Sequence, residues 1–281
     1  MTTPPASGYG PLPCTLHRYH KELPLTLSLT PPPSAAPSTR CLILLGGLGD
    51  SYLPLPYLLP LHELLASRSI ALCTPTLRSS GMQFGWCSLD TDVEDLDECM
   101  SYLSTLGYES FVLLGHSTGC QISVHYLLTR QSSPNHASVT LTALQAPVSD
   151  REGYAGDPKY LSLASEMVSS GAGSEFMPRA CHWAPVTAAR FADLYVAVGE
   201  GDDYFSSDLD DGAVEARLGG LKGMNVIAAY SRQDEYVPES VDKGRLIERW
   251  GKVGLEARLV EGSHNLKEGA GELLEWLKER L

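Results

Sequence analysis

Short, nearly unbroken apolar runs recur along the chain, each followed by a stretch with helical spacing. "CLILL" at 41–45, "IALC" at 70–73, "FVLL" at 111–114 and "VTLTAL" at 139–144 lack the alternation of a half-exposed strand. Runs of this length and texture predict parallel strands covered on both faces. "MNVIAAY" at 224–230 and "LEARLV" at 255–260 add two more. Between the second and third runs, Val93, Leu96, Met100 and Leu103 fall on one stripe of a helix opened by acidic residues and stopped by Gly107. Further helices are predicted from 118 to 130 and over "AGELLEWLKERL" at the end of the chain. The alternation implies an α/β fold, an open and mostly parallel sheet wrapped by helices.

Two segments depart from this rhythm. Before the first core strand, "CTLHRYH" and "LPLTLSL" alternate as a hairpin would, and the Pro/Ser tract "TPPPSAAPST" at 30–39 reads as a linker into the main fold. Residues 151–221 separate two core strands by far more than a usual crossover. They hold helix-like pieces, "DPKYLSLASEMVSS" and "APVTAARFADLYVAV", so they are read as a helical cap inserted into a single domain spanning 1–281. No internal repeat is visible.

Composition narrows the function. Lys and Arg total 21 against 34 Asp and Glu, a net charge of -13 with no basic run, which disfavours nucleic acid and anionic membranes as partners. The seven cysteines are scattered and odd in number, without a C-x-x-C pair, as expected of reduced thiols in a cytoplasmic protein. The start, "MTTPPASGYGPLP", lacks the charge and apolar core of a signal peptide, and the final "ERL" is a poor peroxisomal address. The longest apolar stretches are too short or too broken by proline to span a bilayer.

The chemistry centres on "LLGHSTGCQ" at 113–121. A serine between glycines gains meaning where a strand ends and a helix begins, because the sharp turn then lifts the hydroxyl above the sheet. Gly115 and Gly119 let strand and helix approach closely around Ser117, and the helix start offers the N–H of Thr118 to a developing oxyanion. A serine hydroxyl needs a base and an orienting acid, expected beyond later strands in the order Ser, acid, His. Asp234 in "YSRQDEYVP" and His264 in "EGSHNL" hold those places, with Asp150 as the rival acid. His116 is a neighbour unable to reach the serine and is read as a supporting residue. "LLGGLGD" supplies the other oxyanion donor, the N–H of Leu48. This loop lacks the glycine and lysine patterns of a nucleotide site.

With these parts in place, the chain resembles an α/β-hydrolase over nearly its whole length. "LLGHSTGCQ", "RFADLYVAVGEGDDYFSSDL", "YSRQDEYVP" and "EGSHNL" resemble a fungal branch typified by intracellular siderophore esterases. One departure is Gly46, which stands where many hydrolases carry His. The resemblance implies a serine esterase with the triad Ser117, Asp234 and His264, hydrolysing a fusarinine-type siderophore such as triacetylfusarinine C. It implies no metal or organic cofactor, with any iron belonging to the small-molecule substrate. Tyr154 and Trp183, together with Phe176 and Tyr204, are expected to line the substrate pocket. The acidic run at 199–211 lacks calcium-loop spacing and reads as a capping or solvated turn. An acyltransferase with the same triad, a general carboxylesterase on another bulky ester, or a ligand-binding protein without turnover are the alternative readings.

Overall fold

A computed structural model describes residues 9–33 and 38–281. Residues 1–8 and the middle of the Pro/Ser tract (34–37) lie outside the described residues. Strands β1 (Thr15–Arg18) and β2 (Thr26–Thr30) form the expected antiparallel hairpin. The core strands are β3 (Arg40–Leu45), β4 (Ala71–Pro75), β5 (Ser110–His116), β6 (Val139–Gln145), β7 (Val226–Ser231) and β8 (Glu256–Val260). All eight join one sheet in the order β1-β2-β4-β3-β5-β6-β7-β8. Every pairing from β4 to β8 is parallel, and β2 runs antiparallel to β4.

The absence of alternation in the strand sequences has a direct cause. In β3 and β5, Cys41, Ile43, Leu45, Phe111 and Leu113 enter one core, whereas Leu42, Leu44, Val112 and Leu114 enter another. All nine are at most 2% exposed, so both faces demand apolar residues. Helices α1 (Leu58–Ser67) and α8 (Gly271–Arg280) bury Leu61, Leu65, Trp276 and Leu277 on one face. On the other face lie α2 (Leu89–Thr105), α3 (Thr118–Thr129) and α7 (Lys243–Lys252), through Val93, Leu96, Ile122 and Trp250. The Ser88 hydroxyl opens α2 by accepting from Thr91 N, with Asp90 and Asp92 in the first turn.

Between β6 and β7 come α4 (Lys159–Ser169), α5 (Ala188–Tyr195) and α6 (Asp211–Leu218). This segment packs in two ways. Ala164, Met177, Val186, Ala188 and Phe191 form a small core of their own, whereas Tyr204, Phe205, Leu209, Val214 and Leu218 join the main one. Arg190 ties α5 inward by donating from Nε to Phe84 O (3.0 Å) and from Nη1 to Asp202 Oδ2 (2.6 Å). The acidic run is a capping and solvated turn only in part: Glu200, Asp208, Asp210 and Asp211 are exposed, but its middle is buried. Asp202 and Asp203 are each 5% exposed and pair with Arg190 and Arg151, while Asp210 caps α6 through Ala213 N.

Candidate active site

β5 ends at His116 and α3 begins at Thr118, so Ser117 alone makes the turn, at φ 53° and ψ -121°. A left-handed non-glycine residue costs about 1–3 kcal/mol and persists only where its surroundings enforce it. Here the enforcement is steric and hydrogen-bonded. A Cβ on Gly115 would stand 2.3 Å from Gly119 O, and one on Gly119 would stand 2.2 Å from Leu45 O. Ser117 N donates to Gln145 O (3.1 Å), and Ser117 O accepts from Cys120 N (2.8 Å). The serine hydroxyl itself has no hydrogen bond among the described residues.

The loops after β7 and β8 bring Asp234 and His264 together. Asp234 Oδ2 lies 2.8 Å from His264 Nδ1, with the two residues 4% and 7% exposed. An ionised carboxylate only accepts, so the Nδ1 facing Asp234 is the donor and Nε2 is the ring nitrogen that remains to accept a proton. The backbone around the imidazole is held as well. His264 N donates to Glu235 Oε2 (2.8 Å), and His264 O accepts from Gln145 Nε2 (2.8 Å). Tyr236 meets the ring edge-on at 4.6 Å. Asp150, the rival acid, does not reach the imidazole and instead accepts from Gln121 Nε2 (3.0 Å). Burial, reinforced by the charge of Asp202, pushes its carboxyl up to about 7.

His116 is a supporting residue in this geometry. Its Nδ1 donates to Gln145 Oε1 (2.6 Å), and its ring centre lies 4.9 Å from that of His264. Burial, then the neighbouring His264, pulls its pKa down to about 3, so His116 is neutral at ordinary pH. One amide, that of Gln145, thus touches both histidines.

The glycine-rich loop after β3 presses against the elbow, since a Cβ on Gly47 would lie 3.0 Å from Ser117 Cβ. Asp50 closes this loop by accepting from Gly47 N (2.7 Å). Burial raises the Asp50 carboxyl, while the Gly47 N–H and His264 oppose the shift. The N–H groups of Leu48 and Thr118 donate to no described residue.

Ser117, His264 and Leu48 line one cavity of about 800 Å³. Its walls include Tyr154, Trp183, Tyr195 and Tyr236 and the carboxylates of Asp50, Asp150 and Glu235, with no Lys or Arg. Tyr154 packs on Tyr195 at 4.9 Å, and Trp183 stands over Gly49 at the loop. Phe176 and Tyr204 do not line it, contrary to the sequence expectation. Phe176 faces outward against Trp86, and Tyr204 is buried in the main core with its hydroxyl on His125 Nδ1 (2.7 Å). Sequence reading missed Gln145, Asp50, Glu235 and Tyr236. Only Gln145 left a signal, as an amide closing an otherwise apolar strand. Among the described residues no group of three or more His, Cys, Asp or Glu is arranged to hold a metal, and no helix is long and apolar enough to cross a membrane.

A parallel sheet with a strained serine elbow after its central strand, and an Asp–His pair from the loops of the last two strands, defines an α/β-hydrolase. Comparison with known proteins agrees with that class. The chain belongs to the family described as protein of unknown function DUF1749, whose model matches residues 4–279. It is 31% identical to the fusarinine C esterase sidJ of Aspergillus fumigatus, over 86% of this chain and 83% of that protein. It is 25% identical to the esterase AN6793 of Emericella nidulans, over 89% and 83% of the two chains. The solved siderophore hydrolase EstB from Aspergillus fumigatus superposes with a TM-score of 0.79 at 26% identity, covering 96% of this chain and 97% of that one. The resemblance read from the four sequence motifs is thereby borne out.

Proposed function

We propose that the protein is a serine esterase that cleaves ester bonds of fusarinine-type siderophores, triacetylfusarinine C among them, through an acyl-enzyme. The observation that carries the reading is the Asp234–His264 pair opening onto the same cavity as the strained Ser117. The relatives named as a fusarinine C esterase and a siderophore hydrolase support the substrate class.

In the first step His264 Nε2 takes the proton of Ser117 as its oxygen attacks the ester carbonyl. The N–H groups of Leu48 and Thr118 receive the oxyanion, each such donor being worth about 10²–10³ in rate in serine enzymes. His264 then hands the proton to the departing alkoxide as the ester C–O bond breaks. Water, deprotonated by the same imidazole, releases the acyl group and regenerates Ser117. Asp234 keeps the proton on Nδ1 throughout. Iron enters only as cargo of the substrate. The segment 151–221 acts as the cap, with Tyr154 and Trp183 as substrate-facing walls. Three acidic side chains and no Lys or Arg make the cavity favour neutral or cationic esters over anionic ones. The unpaired cysteines, five of them buried, fit a cytoplasmic setting.

A fluorophosphonate probe should label the protein, and Ser117→Ala should abolish labelling while preserving the fold. Chromatography of ferric triacetylfusarinine C after incubation should resolve its hydroxamate fragments. An unlabelled, folded protein would end the esterase reading. Labelling with an unchanged siderophore would end the substrate assignment.

A further inference from the structure

On the other side of the glycine loop from the large cavity lies a second, small chamber of about 30 Å³. Gly47, Leu48 and Asp50 line both spaces, so the loop is the partition between them. Its other polar walls include Asp92 of α2, Thr118 of α3, Arg190 of α5 and the serine pair Ser79 and Ser80, with Leu77, Phe84 and Ile122 among the apolar ones. Asp92 and Thr118 are 1% and 5% exposed, yet Asp92 Oδ1 and Thr118 Oγ1 have no hydrogen-bond partner among the described residues.

Buried polar oxygens are almost always paired, with protein or with ordered water. A buried water needs on the order of 10–15 Å³ and two to four polar partners. The chamber meets both requirements, with room for one or two waters between a carboxyl, a hydroxyl and a guanidinium. A cation fits less well, because Arg190 is part of the same wall. Arg190 also has its Nε and Nη1 engaged by Phe84 O and Asp202, which fixes the guanidinium in place.

We propose that this chamber is a buried water site that braces the oxyanion loop from behind, with Asp92 and Thr118 as positioning residues. Water held by Asp92 Oδ1 and Thr118 Oγ1 links the first turn of α2, the first turn of α3 and the back of the Gly46–Asp50 loop. It thereby fixes the N–H groups of Leu48 and Thr118 relative to Ser117. The inference rests on those two groups being the oxyanion donors of the proposed esterase.

The test uses the full chain with a p-nitrophenyl ester and a trifluoromethyl ketone, whose adduct with Ser117 carries the oxyanion. Misplacing catalytic groups by about 1 Å costs about 10²-fold in rate, and loss of one brace should cost roughly tenfold. Thr118→Val is therefore expected to lower kcat by about that factor with KM within about twofold, and to weaken the ketone by the same factor. Thr118→Ser should restore both. Asp92→Asn, which still pairs with water, should fall between, and a crystal structure at high resolution should place water within hydrogen-bond reach of Oδ1 and Oγ1. A Thr118→Val protein with wild-type kcat and ketone affinity, or side chains packed into the chamber in place of water, would overturn the inference. Failure of fluorophosphonate labelling at Ser117 would instead overturn the esterase reading, while the crystallographic water would still decide the chamber.

Discussion

Replacing Gln145 by Leu should injure both stability and turnover, because this one buried amide serves two histidines. Gln145 is 0% exposed, its Oε1 accepts from His116 Nδ1 at 2.6 Å and its Nε2 donates to His264 O at 2.8 Å. Leucine fills a similar volume but pairs with neither. A buried polar group left unsatisfied costs about 1–3 kcal/mol, so the three orphaned groups, the His116 Nδ1–H, the His264 carbonyl and the Tyr57 hydroxyl that also donates to Oε1 (3.4 Å), together cost about 3–9 kcal/mol. Against a typical total of about 5–15 kcal/mol this is large, and urea unfolding followed by tryptophan fluorescence will read it as a lower midpoint with an unchanged slope. The catalytic effect follows separately. His264 keeps Asp234 on its ring and Glu235 on its N–H but loses the tether on its carbonyl, and a drift of about 1 Å is worth about 10²-fold in kcat. Gln145→Glu separates the two roles, since a carboxylate can accept from His116 but cannot donate to the His264 carbonyl. It should retain more stability than the leucine variant while losing comparable activity. A Gln145→Leu protein within about 0.5 kcal/mol of wild type and with full kcat would refute the reasoning, since that is the scatter of ordinary surface changes.

Gly119→Ala places a methyl 2.2 Å from Leu45 O, so the elbow must open; fluorophosphonate labelling of Ser117 should slow by about 10²-fold, and unchanged labelling would show that the close approach is unnecessary. Burial pulls the pKa of His116 from the ordinary histidine value of 6.5 down to about 3. As pH falls through that window the unfolded chain binds the proton first, so stability drains away by up to about 5 kcal/mol, and urea midpoints of His116→Phe between pH 7 and 4 should fall less steeply than those of wild type. Asp150→Asn removes one of three acidic side chains from a cavity lined by no Lys or Arg, and in assays at pH 8, above its pKa of about 7, it removes a negative charge. It should lower kcat/KM for amine-bearing fusarinine C relative to its N-acetylated counterpart by roughly three- to tenfold, and equal effects on both substrates would deny Asp150 a part in reading substrate charge.

Much of the fold was legible because the physical signals are local. Strands buried on both faces must be apolar throughout, as β3 and β5 are, and α2 displays its core stripe at the helical period. Helix α1 was hidden by Pro54, Pro56 and Pro60. Pro60 sits in its first turn, where a missing N–H deprives the helix of nothing. Helix α7 begins only at Lys243, because Asp242 caps it through Arg245 N, while Glu235 and Tyr236 fold down beside His264. Chain order and strand ends were enough to bring Asp234 and His264 together, since in a parallel sheet every strand delivers its following loop to one rim.

The cavity walls were not legible for the complementary reason. In an irregular segment, residue type says how much surface a side chain will hide but not which neighbour hides it. Tyr154 and Tyr204 are chemically alike, yet the first lines the cavity and the second is buried beneath Arg217, whose guanidinium lies 3.9 Å from its ring centre. The same blindness applied to charge. Asp202 and Asp203 read as solvated because their partners Arg190 and Arg151 are remote in sequence, and only the fold brings them together. Those two ion pairs bear on function as well as on folding. Both link the later part of residues 151–221, which packs on the main core, to the earlier part that carries Tyr154 and Trp183. Tyr154 and Trp183 therefore reach the cavity from a segment seated by Arg151 and Arg190, so the placement of these aromatic walls depends on ion pairs that neither of them makes.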